Sequence, residues 1–438
     1  MLLASTVFGA ALAQPVAVRN VRVFDGDNVI ESGVVVFDEG RILGVGPSTV
    51  IPRGAKVIDG TGKTLMPGLI DAHVHFSGSF DKYNALALQE AAAYGITTVQ
   101  EMGGGANAGK FQTRLRAGEF PNAADMFLGG GSPAAIKTAA DAEKMVAELA
   151  TNGSDHLSEV AYDTLQEHFG YQVPPTDEVM RDIADAAHRH GLVMAVHTQQ
   201  QGRAKLAILD GADGLLHISS YDPPDVDFGR FLVEHHAFQS TNTNNYAPVS
   251  YRRAMVEDPV WAPYFTPSIK NHWATRKPIA DSRHSCSIAA LKNLRAAGAQ
   301  VVAGTDMAFP YPPMLHVELM IFAKDAGFTP VEALKTATSA SVDAYKIKDR
   351  GRIKPGMRAD MVLVNGDPTK DITATRLINS VWVRGVKVDR TAVTKMNGTL
   401  PDPAPINDQI NPLRPRVDPD VNCSSALIAK AEAEAGRR

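Results

Sequence analysis

The sequence predicts an α/β protein: a (β/α)8 TIM barrel with a small β-sandwich domain that the N- and C-terminal segments form together. Between residues 65 and 351, short apolar segments alternate with amphipathic helical segments, as parallel strands and crossover helices do. Both flanking regions consist instead of short strand-like segments separated by turn residues. No Gly-x-Gly-x-x-Gly sequence follows the first central strand, so a doubly wound open sheet is the second choice.

The terminal segments, residues 14–64 and 352–395, are predicted to pair into one composite β domain. Apolar residues alternate with polar ones there, and Gly, Asp and Pro residues divide the segments into hairpins. The strand candidates are Val16–Val23, Val34–Phe37, Arg41–Gly46, Ala359–Val364 and Ser380–Val388. Pairing of the two ends would leave the region between them as an inserted domain.

The central region, residues 65–351, contains eight strand candidates and six helix candidates. The strand candidates are Leu69–His75, Thr97–Met102, Asp125–Leu128, His156–Ala161, Val193–His197, Gly214–Ile218, Ala237–Thr241 and Gln300–Gly304. The helix candidates are Tyr83–Tyr94, Ala139–Leu149, Thr176–His190, Arg203–Leu209, Ser285–Ala297 and Met314–Ala326. This alternation matches a (β/α)8 barrel, whose active site lies at the carboxyl ends of the strands.

A segment at about residues 244–281 interrupts the alternation. It is long, irregular and rich in Tyr, Trp and Pro, with Tyr246, Trp261 and Trp273 among its aromatic residues. Long irregular segments in barrel enzymes commonly form lids or walls over the site. A packed surface insertion would have the same composition, so both interpretations stay open.

The two ends of the chain have the composition of processing and tail segments. Residues 1–13 are predicted to be a signal peptide, because Leu2–Leu12 is apolar and uncharged and leads into the cleavage pattern Ala11-Leu12-Ala13. The basic region of such a peptide is reduced to the terminal amine, and a wrongly chosen initiator is the alternative. We expect a secreted or periplasmic protein with residues 396–438 as a C-terminal tail.

Composition excludes several classes of partner. The chain has 438 residues, 21% of them charged, and a formal net charge of -4, which gives no electrostatic reason to bind nucleic acid. After the first residues, no apolar run reaches the roughly 20 residues that cross a bilayer. We therefore expect a small-molecule substrate, no nucleic acid and no membrane, with homo-oligomerisation left open. Cys286 and Cys423 allow one disulfide in an oxidising compartment but no cysteine-based zinc site.

Five side chains at the predicted strand ends are of types that bind metal ions. His73 and His75 are separated by one residue and point the same way on a strand. His197, His217 and Asp306 each end or closely follow a later strand candidate. Neutral imidazoles and carboxylates are good ligands for zinc and similar cations. Because barrel strands end at one mouth, the sequence predicts a metal site there.

The motifs around these residues resemble those of the amidohydrolase superfamily, and within it the imidazolonepropionase-like and prolidase-like hydrolases. The resemblance extends over nearly everything from Val18 to Val388. Its motifs are Pro67-Gly68-Leu69-Ile70-Asp71-Ala72-His73-Val74-His75, Gly95-Ile96-Thr97-Thr98-Val99, Val196-His197, Gly211-Ala212-Asp213-Gly214-Leu215-Leu216-His217, Gly304-Thr305-Asp306, Thr329-Pro330-Val331-Glu332-Ala333-Leu334 and Gly351-Arg352-Ile353-Lys354-Pro355-Gly356-Met357-Arg358-Ala359-Asp360. The resemblance implies one or two divalent metal ions, with zinc as the expected metal.

The resemblance also implies a role for each ligand. The more buried metal ion would be held by His73, His75 and Asp306, and the more exposed one by His197 and His217. Asp306 would in addition be the catalytic residue, a general acid/base beside the hydrolytic water.

The sequence departs from the family pattern at the fourth strand. Many relatives with two metals have a lysine there whose carbamate bridges both cations, whereas this chain has none between Gly153 and Ala161. Alignment from the left places Ser158 at the bridging position, and alignment from the right places Glu159 there. A glutamate can bridge two cations and a serine cannot readily do so, so Glu159 is the preferred metal ligand. The alternative is that neither residue binds metal and that the site keeps one ion.

The predicted function is metal-dependent hydrolysis of an amide bond in a small substrate such as a dipeptide or an N-acyl amino acid, with substrate-binding residues unknown. Hydrolysis of a cyclic amide or lactone is an alternative, as is ring deamination. Deamination is less favoured, because residues 199–201 after His197 are neutral glutamines where deaminases commonly have a glutamate. A catalytically decayed binding protein is the third alternative, although the chain retains all five other ligands.

Four further residues are weaker candidates. Tyr162 would bind a substrate carbonyl or serve as a buried structural tyrosine. His316 would brace the loop after Asp306. Arg252 and Arg253 in the insertion would meet a substrate carboxylate or, as is more common for arginine, lie in solvent.

Overall fold

The computed structural model describes residues 14–76, 82–105, 107–130, 136–162, 173–221, 223, 225–265, 270–271, 281–307 and 313–393. The predicted signal peptide, the predicted tail, Trp273 and Cys423 lie outside the described residues. The described part of the chain forms sixteen strands and eleven α-helices. None of these helices is long and apolar enough to cross a membrane.

The terminal segments form one eight-stranded sheet. Its strands are β1 (Val16–Phe24), β2 (Val29–Asp38), β3 (Arg41–Gly46), β4 (Lys56–Asp59), β5 (Lys63–Pro67), β14 (Met361–Asn365), β15 (Ile378–Val383) and β16 (Val386–Lys387). They run in the order β16-β15-β14-β5-β1-β2-β3, with β4 paired in parallel to β1. The two ends of the chain meet where β14 pairs antiparallel with β5. The predicted pairing of the ends is therefore present, with β4 and β5 as additional strands.

This terminal sheet curls until distant strands touch. Phe37 on β2 and Trp382 on β15 pack edge to face with ring centroids 5.6 Å apart. In a flat sheet, the four strand spacings between them would separate the rings by about 19 Å. Both side chains belong to an apolar cluster that also includes Ile42 and Leu65. The sheet therefore encloses a hydrophobic core of its own.

Eight parallel strands form the centre of the inserted region. They are β6 (Leu69–Val74), β7 (Ile96–Glu101), β8 (Asp125–Leu128), β9 (His156–Ala161), β10 (Val193–His197), β11 (Gly214–Leu216), β12 (Phe238–Ser240) and β13 (Gln300–Val302). β6 to β8 make a three-stranded sheet and β9 to β13 a five-stranded sheet. Nearly all their residues are buried, as expected for strands covered on both faces. Each matches a predicted strand to within two residues.

Backbone hydrogen bonds join the two parallel sheets along both margins. On one side, the Ala72 amide donates to the Ala303 carbonyl at 2.9 Å, and His75 donates to Met307 at 2.9 Å. On the other side, the Asp155 amide donates to the Leu128 carbonyl at 2.7 Å. The two sheets are thus neighbours at both edges.

Helices connect and cover these strands. They are α1 (Lys82–Ala93), α2 (Ala108–Arg116), α3 (Ala139–Thr151), α4 (Asp177–Arg189), α5 (Gln201–Leu209), α6 (Phe228–Glu234), α7 (Val249–Glu257), α8 (Asp281–Ala297), α9 (Met314–Lys324), α10 (Pro330–Thr336) and α11 (Ser339–Ala344). The six predicted helices are present. The five additional ones have nine residues or fewer, too few to show a clear helical period.

The described part of the insertion packs into the body of the protein. Trp261 is buried, with its ring 5.2 Å from that of Tyr94 and 5.1 Å from that of His316, measured between centroids. Arg252 on α7 is fully buried. These contacts favour the packed-insertion interpretation for residues 244–265, while residues 266–269 and 272–280 lie outside the described residues.

Candidate metal centre

The predicted metal ligands lie together at the carboxyl ends of the central strands. The strands of both central sheets are parallel within each sheet, so their carboxyl ends lie together and residues that are far apart in sequence become neighbours. Their positions are His73 on β6, His75 directly after β6, Glu159 on β9, His197 at the end of β10, His217 directly after β11 and Asp306 in the loop after β13.

Glu159 stands at the centre of this cluster. Its Oε1 atom is 2.8 Å from Nδ1 of His197 and 2.7 Å from Nε2 of His217. Its Oε2 atom is 3.3 Å from Nε2 of His75, and that nitrogen is 3.2 Å from Oδ1 of Asp306. Two carboxylates and their imidazole partners therefore converge on a small volume.

This donor set fits one or two divalent cations. Two triads, His73 with His75 and Asp306 and His73 with Glu159 and His217, each place one donor atom per residue within 4.8 Å of the others. The Nε2 atoms of His73 and His75 are 3.1 Å apart, so both lone pairs can point to a cation between them. Nδ1 of His73 is buried without a hydrogen-bond partner among the described residues.

The charges of the cluster favour a bound cation. Burial lowers the pKa of His73 to about 3, which keeps this imidazole neutral and able to bind metal. Burial opposes ionisation of Glu159 and Asp306, but the histidines around them outweigh it and hold both pKa values well below the ordinary range. Burial likewise opposes the charge on His75, but these two carboxylates raise its pKa to about 10. The ionised carboxylates thus attract positive charge into the cluster.

A buried brace holds Asp306 against β6. Asp71 accepts a hydrogen bond from the Thr305 amide at 3.0 Å and another from the Thr305 hydroxyl at 2.6 Å. The Asp306 amide donates to the carbonyl of His73 at 2.8 Å. Asp306 has a φ of 58°, a left-handed conformation that is uncommon outside glycine and is often found at functional sites. The brace sets the position of Asp306 relative to the histidines of β6.

Two asparagine amides also contact the cluster. Asn245 donates from Nδ2 to Oδ2 of Asp306 at 3.0 Å. Nδ2 of Asn242 lies 3.3 Å from the same oxygen and 2.6 Å from Nδ1 of His217. The sequence reasoning missed both residues, although they closely follow β12, at the strand end where barrel enzymes carry functional groups.

A buried carboxyl group and a buried guanidinium group support the segment that carries these amides. Glu318 on α9 accepts hydrogen bonds from the backbone amides of Thr243 at 2.9 Å and Asn244 at 2.6 Å. Arg252 donates to the carbonyl of Asn245 at 2.6 Å. The expectation that Arg252 would meet substrate or lie in solvent is therefore wrong, because backbone carbonyls of the insertion bind its guanidinium group inside the protein.

Arg283 on α8 lies against the loops that follow β10 and β11. Its Nη2 atom donates to Ser220 at 2.9 Å and also to Gln199, which lies two residues after His197. Its guanidinium group packs against two tyrosine rings, 4.1 Å from the centroid of Tyr221 and 4.4 Å from that of Tyr246. Nε is buried without a hydrogen-bond partner among the described residues. Sequence reasoning missed this buried arginine, because it lies in no motif.

Only one of the two candidates on β9 joins the cluster. Ser158 is buried and its hydroxyl is 3.0 Å from Nδ1 of His156, away from the other ligands. Glu159 instead contacts His197 and His217. The geometry therefore supports the alignment from the right, which places Glu159 at the position of the bridging lysine.

Two weaker candidates have structural partners. Tyr162 donates toward Asp210 at 3.0 Å and is fully buried, which favours the structural interpretation. Both ring nitrogens of His316 form hydrogen bonds outside that loop, Nδ1 with the hydroxyl of Thr375 at 3.0 Å and Nε2 with the carbonyl of Tyr94 at 2.8 Å. The expectation that His316 braces the loop after Asp306 is therefore wrong.

The fold and the site together define a class of enzyme. The sequence pattern of the amidohydrolase family matches residues 64–388. The chain therefore belongs to the amidohydrolase family, and the prediction of a hydrolytic enzyme from this superfamily is confirmed.

Similarities to individual proteins agree with membership of this family. The chain is 26% identical to the imidazolonepropionase of Streptomyces griseus subsp. griseus over 390 residues, which cover 82% of this chain and 93% of that enzyme. It is 23% identical to the ochratoxinase of Aspergillus niger over 431 residues, 82% of this chain and 83% of that enzyme. The solved structure of a prolidase bound to N-methylphosphonate-L-proline covers 86% of this chain and 99% of its own, with a TM-score of 0.66 and 20% identity.

Proposed function

We propose that the protein is a metal-dependent hydrolase that cleaves an amide bond in a small substrate such as a dipeptide or an N-acyl amino acid. The observation that carries this proposal is the convergence of Glu159 and Asp306 with the histidines at the strand ends. When bound, a divalent cation, zinc in our proposal, would polarise the substrate carbonyl and lower the pKa of the attacking water. The proposed ligands are His73, His75 and Asp306 for the buried ion, His197 and His217 for the exposed ion, and Glu159 for both.

Asp306 is the proposed general acid/base. Its carboxylate is ionised because neighbouring histidines hold its pKa low, so it can accept a proton. The amide of Asn245 binds Oδ2, while Oδ1 faces His75 and the inside of the cluster. A carboxylate held in this orientation can take a proton from the attacking water and give it to the leaving amine.

Arg283 is the proposed anchor for a substrate carboxylate. Its guanidinium group packs against two rings and donates a hydrogen bond through Nη2, so little side-chain entropy is lost when an anion binds. Arginine donors suit carboxylates because the planar fork matches two oxygens. A dipeptide or an N-acyl amino acid has such a carboxylate next to its scissile amide, and the similarly folded prolidase binds a proline derivative.

The decisive experiment combines metal analysis with a substrate panel. The purified protein is reconstituted with zinc or manganese, its bound metal is measured, and dipeptides and N-acyl amino acids are screened for hydrolysis. We expect one or two ions per chain and turnover of at least one substrate that has a free carboxylate. A preparation that binds no metal and stays inert after reconstitution would overturn the proposal.

Cyclic amides and lactones are the second candidate class, supported by the similarity to the imidazolonepropionase. The same site residues would serve their hydrolysis, so they belong in the same panel. Turnover of cyclic compounds alone would shift the assignment to ring hydrolysis. Ring deamination is less favoured, because the oxygen of Gln199 accepts a hydrogen bond from Arg283 and no acid stands beside it at residues 200 or 201.

We further propose that the parallel strands close into one (β/α)8 barrel over residues 65–351. The hydrogen bonds between the two parallel sheets at both margins support this closure. Residues 14–64 and 352–395 would form the small β-sandwich, with the two faces of the curled terminal sheet as its layers. The contact of Phe37 with Trp382 across the sheet supports this arrangement.

Export to the periplasm or the medium is the proposed location. Cys286 is disulfide-bonded, which fits an oxidising compartment. The apolar segment before Gln14 would direct this export. Mass spectrometry of the protein recovered outside the cytoplasm should find an N-terminus at residue 14, and a full-length cytoplasmic protein would contradict the proposal.

A further inference from the structure

An open pocket lies at the amino ends of the central strands, opposite the metal centre. Its volume is about 640 Å³, within the usual range of small-molecule sites. Its walls come from the start of β8, the end of α2, the segment after α11 and the terminal sheet. We define this basal pocket by Arg116, Asp125, Phe127, Arg350, Arg358 and Arg384.

The basal pocket has more positive than negative charge. Seven basic and three acidic side chains line it, although the whole chain has a net charge of -4. Asp125 is buried and accepts hydrogen bonds from Arg350, at 2.8 Å, and Arg358 on one carboxylate oxygen. Arg116 and Arg384 are both 3.4 Å from its other oxygen. Asp125 therefore faces four guanidinium groups, three of which also have a second carboxylate partner: Asp349 for Arg350, Asp360 for Arg358 and Asp155 for Arg116.

Arg384 lies among other arginines, with the carboxylates of Asp125 and Asp360 also close to it. Burial lowers its pKa, and repulsion from Arg358 and Arg350 adds to this effect, so that attraction to Asp125 and Asp360 does not restore the ordinary value. The side chain is 30% exposed and that of Arg116 is 38% exposed, so both guanidinium groups reach the open part of the pocket. An anion bound there would relieve the repulsion.

The geometry of these groups is fixed before any ligand binds. The guanidinium groups of Arg116 and Arg350 lie against the ring of Phe127, 5.2 Å and 4.8 Å from its centroid. Arg384 donates from Nη1 to the carbonyl of Arg116 at 2.7 Å. Held in this way, the exposed arginines lose little freedom on binding.

We propose that the basal pocket binds a small anion that bears a phosphate group, with Arg116 and Arg384 as its direct contacts. Guanidinium groups can donate paired hydrogen bonds to the oxygens of a phosphate group. A dianion also neutralises more of the positive charge in the pocket than a single carboxylate does. The site is separate from the metal centre, so the proposal does not depend on the proposed hydrolysis.

The test is calorimetric titration of the zinc-reconstituted protein with pyrophosphate, inorganic phosphate and citrate at constant ionic strength. The variant R116Q/R384Q removes the two guanidinium groups that are proposed to contact the anion and leaves the buried pairs of Asp125 with Arg350 and Arg358 in place. R181Q is the matched control, because Arg181 is an exposed arginine paired with Asp210 outside the pocket. Circular dichroism and the melting temperature establish that each variant is folded.

We expect saturable binding of pyrophosphate to the wild type and R181Q, and an affinity at least about tenfold weaker in R116Q/R384Q. The absence of saturable binding by the wild type would overturn the proposal. So would unchanged affinity in the folded double variant, which would place the anion elsewhere, including at the metal centre. Citrate binding as tightly as pyrophosphate would overturn the assignment to phosphate.

Discussion

The side-chain amide of Asn245 donates a hydrogen bond of 3.0 Å to the carboxylate of Asp306, across 61 residues of sequence. Asn245 lies in the insertion, and Asp306 lies in the loop after the last central strand. The insertion therefore contacts the proposed general acid/base directly, in addition to packing into the body of the protein.

Replacing Asn245 with Ala should lower kcat by about 10- to 100-fold, with little change in metal content. The physical reason is that Oδ2 of Asp306 loses its shortest amide donor, so the carboxylate is less well oriented. Steady-state kinetics and metal analysis measure the two effects. Asn152→Ala, at an exposed position after α3, is the matched control, and an equal loss of activity in both variants would contradict the role of Asn245.

Asp306→Asn should lower kcat by about 10²- to 10⁴-fold. It should also reduce the amount of bound metal less than His73→Ala does. The amide keeps one neutral oxygen as a ligand but cannot accept a proton. Removal of His73 takes a donor from both triads of the cluster. Metal analysis together with turnover distinguishes these effects, and equal activity in the two variants would mean that the roles are wrongly assigned.

Arg283→Met should raise KM for an N-acyl amino acid by about 10- to 100-fold, because the substrate carboxylate loses a charge-assisted partner. The same variant should change KM little for the corresponding carboxamide, which has no negative charge to lose. Arg253→Met, at an exposed position on α7, controls for the loss of one positive charge at another position. An equal increase for both substrates would show that Arg283 supports the loops and does not bind the carboxylate.

Arg252→Met should destabilise the protein by about 2–4 kcal/mol, because carbonyls of Asn244 and Asn245 lose a buried charged donor. Chemical denaturation measures this change. Arg253→Met, one residue further along the same helix but exposed, should stay within about 0.5 kcal/mol of the wild type. Similar effects of the two substitutions would contradict the burial argument.

Glu318 should make stability depend on pH. Burial raises its pKa from 4.5 to about 7, so the folded state retains a proton that the unfolded state has already released between these values. The contribution of Glu318 to the free energy of unfolding is therefore fully present below pH 4.5 and is lost as the pH rises to about 7. Melting temperatures should fall less steeply over this range in Glu318→Gln than in the wild type. Parallel profiles would show that Glu318 does not titrate there.

The regular elements could be predicted because their signals are local. Each central strand is a short apolar run bounded by Gly or polar residues, and all eight are present where they were expected. Helices such as Phe228–Glu234 and Ser339–Ala344 have about two turns, so their apolar faces are too short to be seen in sequence. Their stability comes from packing against the rest of the protein.

The supporting residues of the site could not be predicted in the same way. Asn242 and Asn245 are single polar residues without a characteristic spacing, and only the contact with Asp306 shows their importance. Arg252 and Arg283 are arginines, which usually lie in solvent. Partners from distant segments make their burial favourable, and no sequence window contains those partners.

The sequence by itself determined the order of the eight central strands and of six of the helices, and the kinds of side chain at the strand ends. These features follow from hydrophobic periodicity and residue chemistry, both of which are local. Tertiary structure alone decided that Glu159 and not Ser158 faces the histidines, and that Asp306 meets His75 across the strands. Those outcomes depend on strand register and on packing between distant segments, because contacts at a strand end form only when several strands are aligned together.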